Sequence, residues 1–319
     1  KGKSSETVID INHTKKYENL SLTKTAEHTR AYVKVQDGCN QFCSYCIIPY
    51  TRGRVRSRKL EDVYAEVKRL AEAGYREVVL TGIHLSSYGV DLEEENLLTL
   101  IEKIHEIDGI ERIRLGSLEP RIMCEEFVAA ISKLPKLCPH FHLSLQSGCN
   151  ETLKRMNRKY TAEEYYDVCV RLRKYFDEPA LTTDVIVGFA GETEEEFAQC
   201  KAFLEKVEFF ETHVFKFSIR KGKKKKKMEN QVTDQVKTKR SNELLALHAV
   251  NSVKYLEKHF GKDLEVLMEE EMTINEEKYF VGHTKEYIRV AVKSDEDLTN
   301  RFVVVKAKGI LKDQILLGK

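Results

Sequence analysis

Three cysteines, Cys39, Cys43 and Cys46, are spaced C-x3-C-x2-C, and four arginines, Arg52, Arg54, Arg56 and Arg58, follow at every second position in "TRGRVRSR". Clustered thiols in a large Lys/Glu-rich chain without a signal peptide point to a metal centre rather than to disulfides. Structural zinc normally needs four ligands built from two separated pairs, and no second pair lies at suitable spacing. Three thiolates suit an iron–sulfur cluster that keeps one iron open to an external ligand. The arginines raise the question of why a run of guanidinium groups should stand directly beside a thiolate cluster. The bland answer is a solvated charged loop.

These residues must be held by a scaffold. The chain has 319 residues, with 41% hydrophobic and 33% charged, which supports a sizeable core and either two domains or one large domain with an appendage. Its 53 basic and 51 acidic residues leave a net charge of only +2, so a nucleic-acid site has to be a local patch. No stretch reaches the ~18 apolar residues of a membrane span, and the chain reads as cytoplasmic. After residue 30, short apolar runs alternate with helical patterns. Candidate strands are Ala31–Gln36, Glu77–Thr81, Ile113–Ser117, His140–Leu145, Leu181–Val187 and His213–Phe217. Val63, Val67, Leu70 and Ala71 share one helical face, as do Phe197, Cys200, Phe203, Leu204 and Val207. Alternating strand and helix implies parallel β/α units, either in a partial barrel or in an open doubly wound sheet. A helical stretch near Ser241–His259 is followed by five β-type runs without helices, the pattern of a small antiparallel, OB-like barrel. The expected division is residues 1–27 as the linker remnant of an absent N-terminal domain, 28–252 as an α/β domain, and 253–319 as the small barrel. The run "RKGKKKKKMENQ" reads as a solvated loop or as a phosphate-contacting one.

With the cysteines at the end of the first strand and Tyr45 before the last of them, the chain resembles the radical S-adenosylmethionine (SAM) superfamily. The string "GCNQFCSYCIIPYTRGRVRSR" looks like the methylthiotransferases within it, and "EVVLTGIHLSSYG", "IRLGSLEP", "HLSLQSGCNETLKRMNRKYT" and "TTDVIVGFAGETEEEF" follow in family order. The resemblance implies a partial (β/α)6 barrel and a TRAM-type RNA-binding barrel. It implies a 4Fe–4S cluster on Cys39, Cys43 and Cys46, with SAM on its open iron. It also implies radical methylthiolation at C2 of a tRNA adenosine next to the anticodon, with an electron donor as partner. By the same resemblance, Tyr45, Thr81, Gly82, Ser117, Glu119, Gln146, Arg158, Asp184 and Gly188 are expected around SAM. Tyr50, Arg52, Arg54, Arg56 and Arg58 are expected on the RNA.

"EHTRAYVKVQDGC", "TGIHLSSYG" and "RGRVRSR" look most like the branch acting on N6-threonylcarbamoyladenosine. The alternatives are the isopentenyladenosine branch, a radical SAM RNA methylase and a non-catalytic tRNA-binding module. The family's N-terminal domain carries three further cysteines for a second 4Fe–4S cluster. Cys124, Cys138, Cys149, Cys169 and Cys200 do not form that motif and read as small buried or partly buried side chains. Ala190 stands where the family usually has Pro.

Overall fold

The computed structural model describes residue 17 and residues 29–218 and 229–319. The lysine run and nearly all of the expected linker lie outside the described residues. In chain order the elements are β1 (Arg30–Asp37), α1 (Ile48–Thr51), β2 (Arg56–Ser57), α2 (Leu60–Glu72), β3 (Glu77–Gly82), α3 (Leu97–His105) and β4 (Arg112–Leu115). There follow α4 (Glu125–Ile131), β5 (His140–His142), α5 (Asn150–Arg155), α6 (Ala162–Tyr175), β6 (Ala180–Val187), α7 (Glu194–Val207) and β7 (Glu211–Lys216). The long helix α8 (Asp234–Glu257) leads to β8 (Asp263–Ile274), β9 (Glu277–His283), β10 (Arg289–Val292), β11 (Phe302–Lys312) and β12 (Ile315–Gly318).

Strands β1, β3 and β4 pair in parallel, as do β5, β6 and β7. Single bridges from Ile113 to Leu137 and from Leu118 to Leu143 join the two sets. The spatial order therefore follows the chain order without a reversal. A doubly wound sheet reverses at a switch point, so this is the partial barrel. Its terminal strands are β2 and β7, and helix α8 lies along β7, where His248 Nδ1 accepts from the Thr212 amide (3.3 Å). Alternation along each strand sends Val33, Val35, Leu80, Leu115 and Val185 to the helices, where they share one core with Val67, Leu100 and Leu204. The opposite parity faces the hollow. Threonines 161 and 193 cap α6 and α7 reciprocally with Glu164 and Glu196, an arrangement whose cap residue contributes about 1 kcal/mol.

The five predicted runs close into a barrel of order β10-β12-β11-β8-β9. It is not wholly antiparallel: β10 and β12 run parallel. Helix α8 starts at Asp234, earlier than its apolar pattern, because Thr233 caps it and Arg240 reaches back to Glu192 (2.6 Å). It also continues past residue 252.

The small barrel sits against the N-terminal ends of the parallel strands. Arg112, fully buried, donates to the carbonyls of His283 (2.8 Å) and Glu265 (2.9 Å). Arg114 donates to the Lys285 carbonyl (2.9 Å) and to Glu77 (2.8 Å). Tyr287 stacks between His140 and His283, at 4.9 and 4.4 Å between ring centroids. This closes the floor of the hollow and leaves its mouth at the strands' C-terminal ends.

Candidate cluster and substrate site

The cysteine loop leaves β1 through a clamp. Gln36, fully buried, donates to the carbonyls of Asp37 (2.7 Å) and Gly38 (2.8 Å) and accepts from the His84 amide (2.8 Å). Gly38 has φ +70°, and a Cβ there would lie 1.8 Å from the Arg54 carbonyl oxygen. The turn thus demands glycine and lets the Cys39 amide reach the Gly53 carbonyl (3.1 Å). On the other side a turn after α5 grips the loop. Ser44 bonds to the carbonyls of Met156 and Arg155, and Asn157 donates to the Phe42 carbonyl (3.0 Å).

Cys39 and Cys43 are buried and Cys46 is half-buried. Burial pushes the Cys39 thiol up; the Gln41 amide opposes this, the neighbouring Cys43 and Cys46 add to it, and Arg158 lowers it. Arg158 donates to Cys43 Sγ (3.3 Å), Tyr160 Oη (2.9 Å) and the Ser144 carbonyl (3.2 Å). It therefore brings a fixed positive charge to Cys43, which favours the thiolate form that binds a cluster. Tyr45 packs edge-on to Phe189 (6.4 Å) in an apolar patch with Met156, Ala190 and Phe217.

Around the mouth, Ser117 Oγ lies 2.9 Å from Ser144 Oγ. Glu119 is buried and accepts from Arg121 (2.7 Å), which itself reaches Gln41 in the cysteine loop (3.4 Å). Gln146 is buried with φ +72°, in the left-handed region a side chain seldom adopts. Thr81 bonds to the Val33 carbonyl (3.3 Å), and a Cβ on Gly82 would lie 2.9 Å from Gln36 Oε1. The sequence treats His84 only as a branch marker, yet its Nε2 is buried without a partner while Nδ1 contacts Ser87 (2.6 Å). Burial first, then Arg158 and Arg121, hold its pKa down to about 4. A neutral ring with an orphaned nitrogen beside the cysteine loop is an available partner for a polar ligand. Together with the arginine-compensated thiols, it fits this mouth to a cluster and SAM.

Gly188, just after β6, is a tight packing position under α8: its amide bonds to Glu192 (2.7 Å), and a Cβ would lie 2.3 Å from Lys237 Cγ. The arginine run splits. Arg56 is buried, donating to the Arg52 carbonyl (2.9 Å) and lying 3.6 Å from Asp37; Arg58 is buried against Glu66 (2.7 Å). Strand β2 pairs antiparallel with β1, which sets Arg56 opposite Asp37, and Arg58 follows just after the strand. Arg52, Arg54 and Tyr50 remain outside, with the Arg54 guanidinium 4.5 Å from the centre of the Phe42 ring and Phe42 edge-on to Tyr50 (5.8 Å). Of the other cysteines, Cys138, Cys149, Cys169 and Cys200 are buried, but Cys124 is exposed because it caps the start of α4 at the surface. Among the described residues no helix is long and apolar enough to cross a membrane.

The geometry agrees with the comparisons. The Radical SAM superfamily matches residues 33–204. The threonylcarbamoyladenosine tRNA methylthiotransferase MtaB of Bacillus subtilis is 40% identical over 94% of this chain and 67% of its own length. The tRNA-2-methylthio-N(6)-dimethylallyladenosine synthase of Thermoanaerobacter pseudethanolicus is 40% identical over 99% of this chain and 64% of its own. The chain thus spans about two thirds of the length of these relatives. Among solved structures, coproporphyrinogen III oxidase (HemN) of Escherichia coli superposes with a TM-score of 0.51 at 14% identity, over 70% of this chain and 53% of that one, which supports the fold alone. Cysteine loop, half-barrel and sequence similarity converge: this chain belongs to the radical SAM superfamily and, within it, to the tRNA methylthiotransferases.

Proposed function

We propose that this chain is the cluster-bearing and RNA-gripping part of an enzyme that methylthiolates C2 of N6-threonylcarbamoyladenosine in the tRNA anticodon loop, in the cytoplasm. The observation that carries this is the clamped Cys39–Cys46 loop at the end of β1, on a chain 40% identical to a threonylcarbamoyladenosine methylthiotransferase along nearly all of its length. The family uses a 4Fe–4S cluster and SAM, which supply a one-electron oxidant able to remove hydrogen from carbon. Cys39, Cys43 and Cys46 hold the cluster, and Arg158 offsets its negative charge beside Cys43. His84, Ser117, Glu119 and Gln146 offer polar groups to SAM around the mouth, next to Thr81 and Gly82. Tyr45 and Phe189 keep one wall dry. Tyr50, Arg52 and Arg54 are the outward groups for RNA, and residues 263–319 form the TRAM-like second grip.

The dimethylallyladenosine branch matches at the same identity, so the substrate needs its own argument. The inner wall of the hollow carries His142, Thr182, Asp184 and Glu211, polar groups that suit a hydrogen-bonding substituent better than an apolar isopentenyl group. The experiment supplies anaerobically reconstituted chain with SAM, a reductant and tRNA bearing either modification. It measures 5′-deoxyadenosine and the mass of the digested RNA. Threonylcarbamoylated tRNA is expected to raise 5′-deoxyadenosine release more than isopentenylated tRNA. Sulfur insertion is expected to fail with this chain alone, since its remaining cysteines are scattered. A loaded cluster that releases no 5′-deoxyadenosine would make the chain a non-catalytic tRNA-binding module; a preference for isopentenylated tRNA would move it to the other branch.

A further inference from the structure

A second group of ligating side chains lies in the hollow, on strands away from the cysteine loop. His142, Asp184 and His213 come from the adjacent strands β5, β6 and β7. Phe141, Leu181 and Val185 go to the helix-side core, so these three, at the opposite parity, face inward. Asp184 and His213 are direct partners in the β6–β7 register, and His142 pairs with Thr182 one pleat away. One ligand atom from each of the three lies within 4.8 Å of the others. His142 Nε2 is 3.4 Å from Asp184 Oδ2, and the two imidazole rings are 5.7 Å apart.

A simple His–Asp ion pair does not account for the whole arrangement. One imidazole satisfies Asp184, yet His213 is held opposite the same carboxylate, exposed, its ring without a hydrogen bond among the described residues. His142 Nδ1 contacts Thr182 Oγ1 (2.9 Å), which fixes the ring and leaves Nε2 on the Asp184 side. Metal-ligating histidines are oriented by this kind of contact at the far nitrogen. Glu211 on the same face places a second carboxylate within electrostatic reach of both histidines.

We propose that His142, Asp184 and His213 bind one divalent first-row transition-metal ion between β5, β6 and β7. Two imidazoles and a carboxylate are the donor set of zinc, iron(II) and manganese(II) sites that keep open positions for water. Donors at the usual bond lengths stand about 3–3.5 Å apart around such an ion. The His142–Asp184 separation already matches, and a side-chain rotation of exposed His213 closes the third position. The proposal assigns Asp184 to a cation rather than to SAM; it shares His142 and Asp184 with the wall invoked for the substrate, and metal binding measured without tRNA tests it separately.

The test uses the full chain with its cluster reconstituted in the oxidised, diamagnetic state, so that Cys39, Cys43 and Cys46 are occupied. Manganese(II) is titrated and its free EPR signal followed, with zinc(II) as competitor. One saturable site per chain is expected. His213→Gln and Asp184→Asn should each weaken binding at least ~10-fold, and Thr182→Val, which frees the His142 ring, about 10-fold or more. His213 lies at the surface, so its variant keeps the fold, which a thermal melt verifies. No saturable binding by the parent protein, or unchanged affinity in His213→Gln, overturns the proposal.

Discussion

Replacing Arg58 by Met separates the two roles that the arginine run combines. The Arg58 and Glu66 side chains are only 4% and 3% exposed and lie 2.7 Å apart. Arg58 also donates to the Lys34 carbonyl (3.3 Å). Arg58→Met leaves the Glu66 carboxylate buried without its counter-charge, a defect that costs about 3–5 kcal/mol. At roughly 2–4 °C per kcal/mol for a domain of a few hundred residues, the melting temperature should fall by about 6–20 °C. The double variant Arg58→Met/Glu66→Leu removes both charges and should regain most of that loss, because a buried pair is often replaceable by apolar groups of similar size.

RNA binding is the second readout. Folded Arg58→Met should bind tRNA with the parent salt dependence, whereas Arg52→Gln and Arg54→Gln should each flatten the slope by roughly 0.7–0.9 with little change in stability. The assays are thermal melts and tRNA titrations at several salt concentrations. If Arg58→Met melts like the parent, or lowers the salt slope as Arg52→Gln does, Arg58 meets phosphate and the inward assignment is wrong.

Further outcomes follow from the site. Cys39→Ala, Cys43→Ala and Cys46→Ala should each abolish the broad iron–sulfur absorption of the reconstituted protein, while Cys124→Ala and Cys200→Ala keep it; the loaded parent should hold about four irons. Gly38→Ala should load iron poorly, since its Cβ would lie 1.8 Å from the Arg54 carbonyl oxygen and the loop must shift; iron content measured against a normal circular dichroism spectrum checks this. His84, buried and neutral, titrates at about 4 when folded and at about 6.5 when unfolded. The unfolded state therefore takes up the proton first, and stability falls as pH drops from 6.5 towards 4. Between pH 7 and 5 the parent should lose about 2 kcal/mol more than His84→Asn in denaturant melts; equal losses would mean the ring is solvated.

Much of the scaffold was legible because strand parity and helix periodicity report burial directly. Val33, Leu80 and Val185 sit in short apolar runs and land in one core. The cysteine motif was legible because its ligands are close in sequence. The arginines misled because alternation every second residue reads the same whether they turn out or in; the β1–β2 pairing decides it for Arg56, and Glu66 on the following helix decides it for Arg58. The packing that requires glycine at 188 was not legible, because the contact comes from Lys237, far along the chain. His84 and Gln36 escaped for the same reason: the clamp they form joins the ends of two strands that are distant in sequence. His142, Asp184 and His213 share a parity visible in the sequence, but only the β5–β6–β7 register brings them together.

The lock beneath the hollow changes how the small barrel must be tested. Truncating the chain before residue 263 would remove the carbonyl acceptors of Arg112 and Arg114, and Glu269, which holds Arg30 (3.0 Å) and His283 (2.8 Å). Those arginines and Glu77 would then meet water beside an unplugged half-barrel, and lost tRNA affinity would report a damaged scaffold. Lys306, Lys308 and Lys312 on β11 are exposed and lie further along the strand than Phe302, whose ring packs on Arg112 (4.7 Å). Changing all three to Gln leaves the Arg112 and Arg114 contacts in place. If the barrel grips RNA by this face, the triple variant should flatten the salt slope of tRNA binding by about 2 at an unchanged melting temperature. An unchanged slope would take β11 out of the RNA path and leave the barrel as the floor of the hollow.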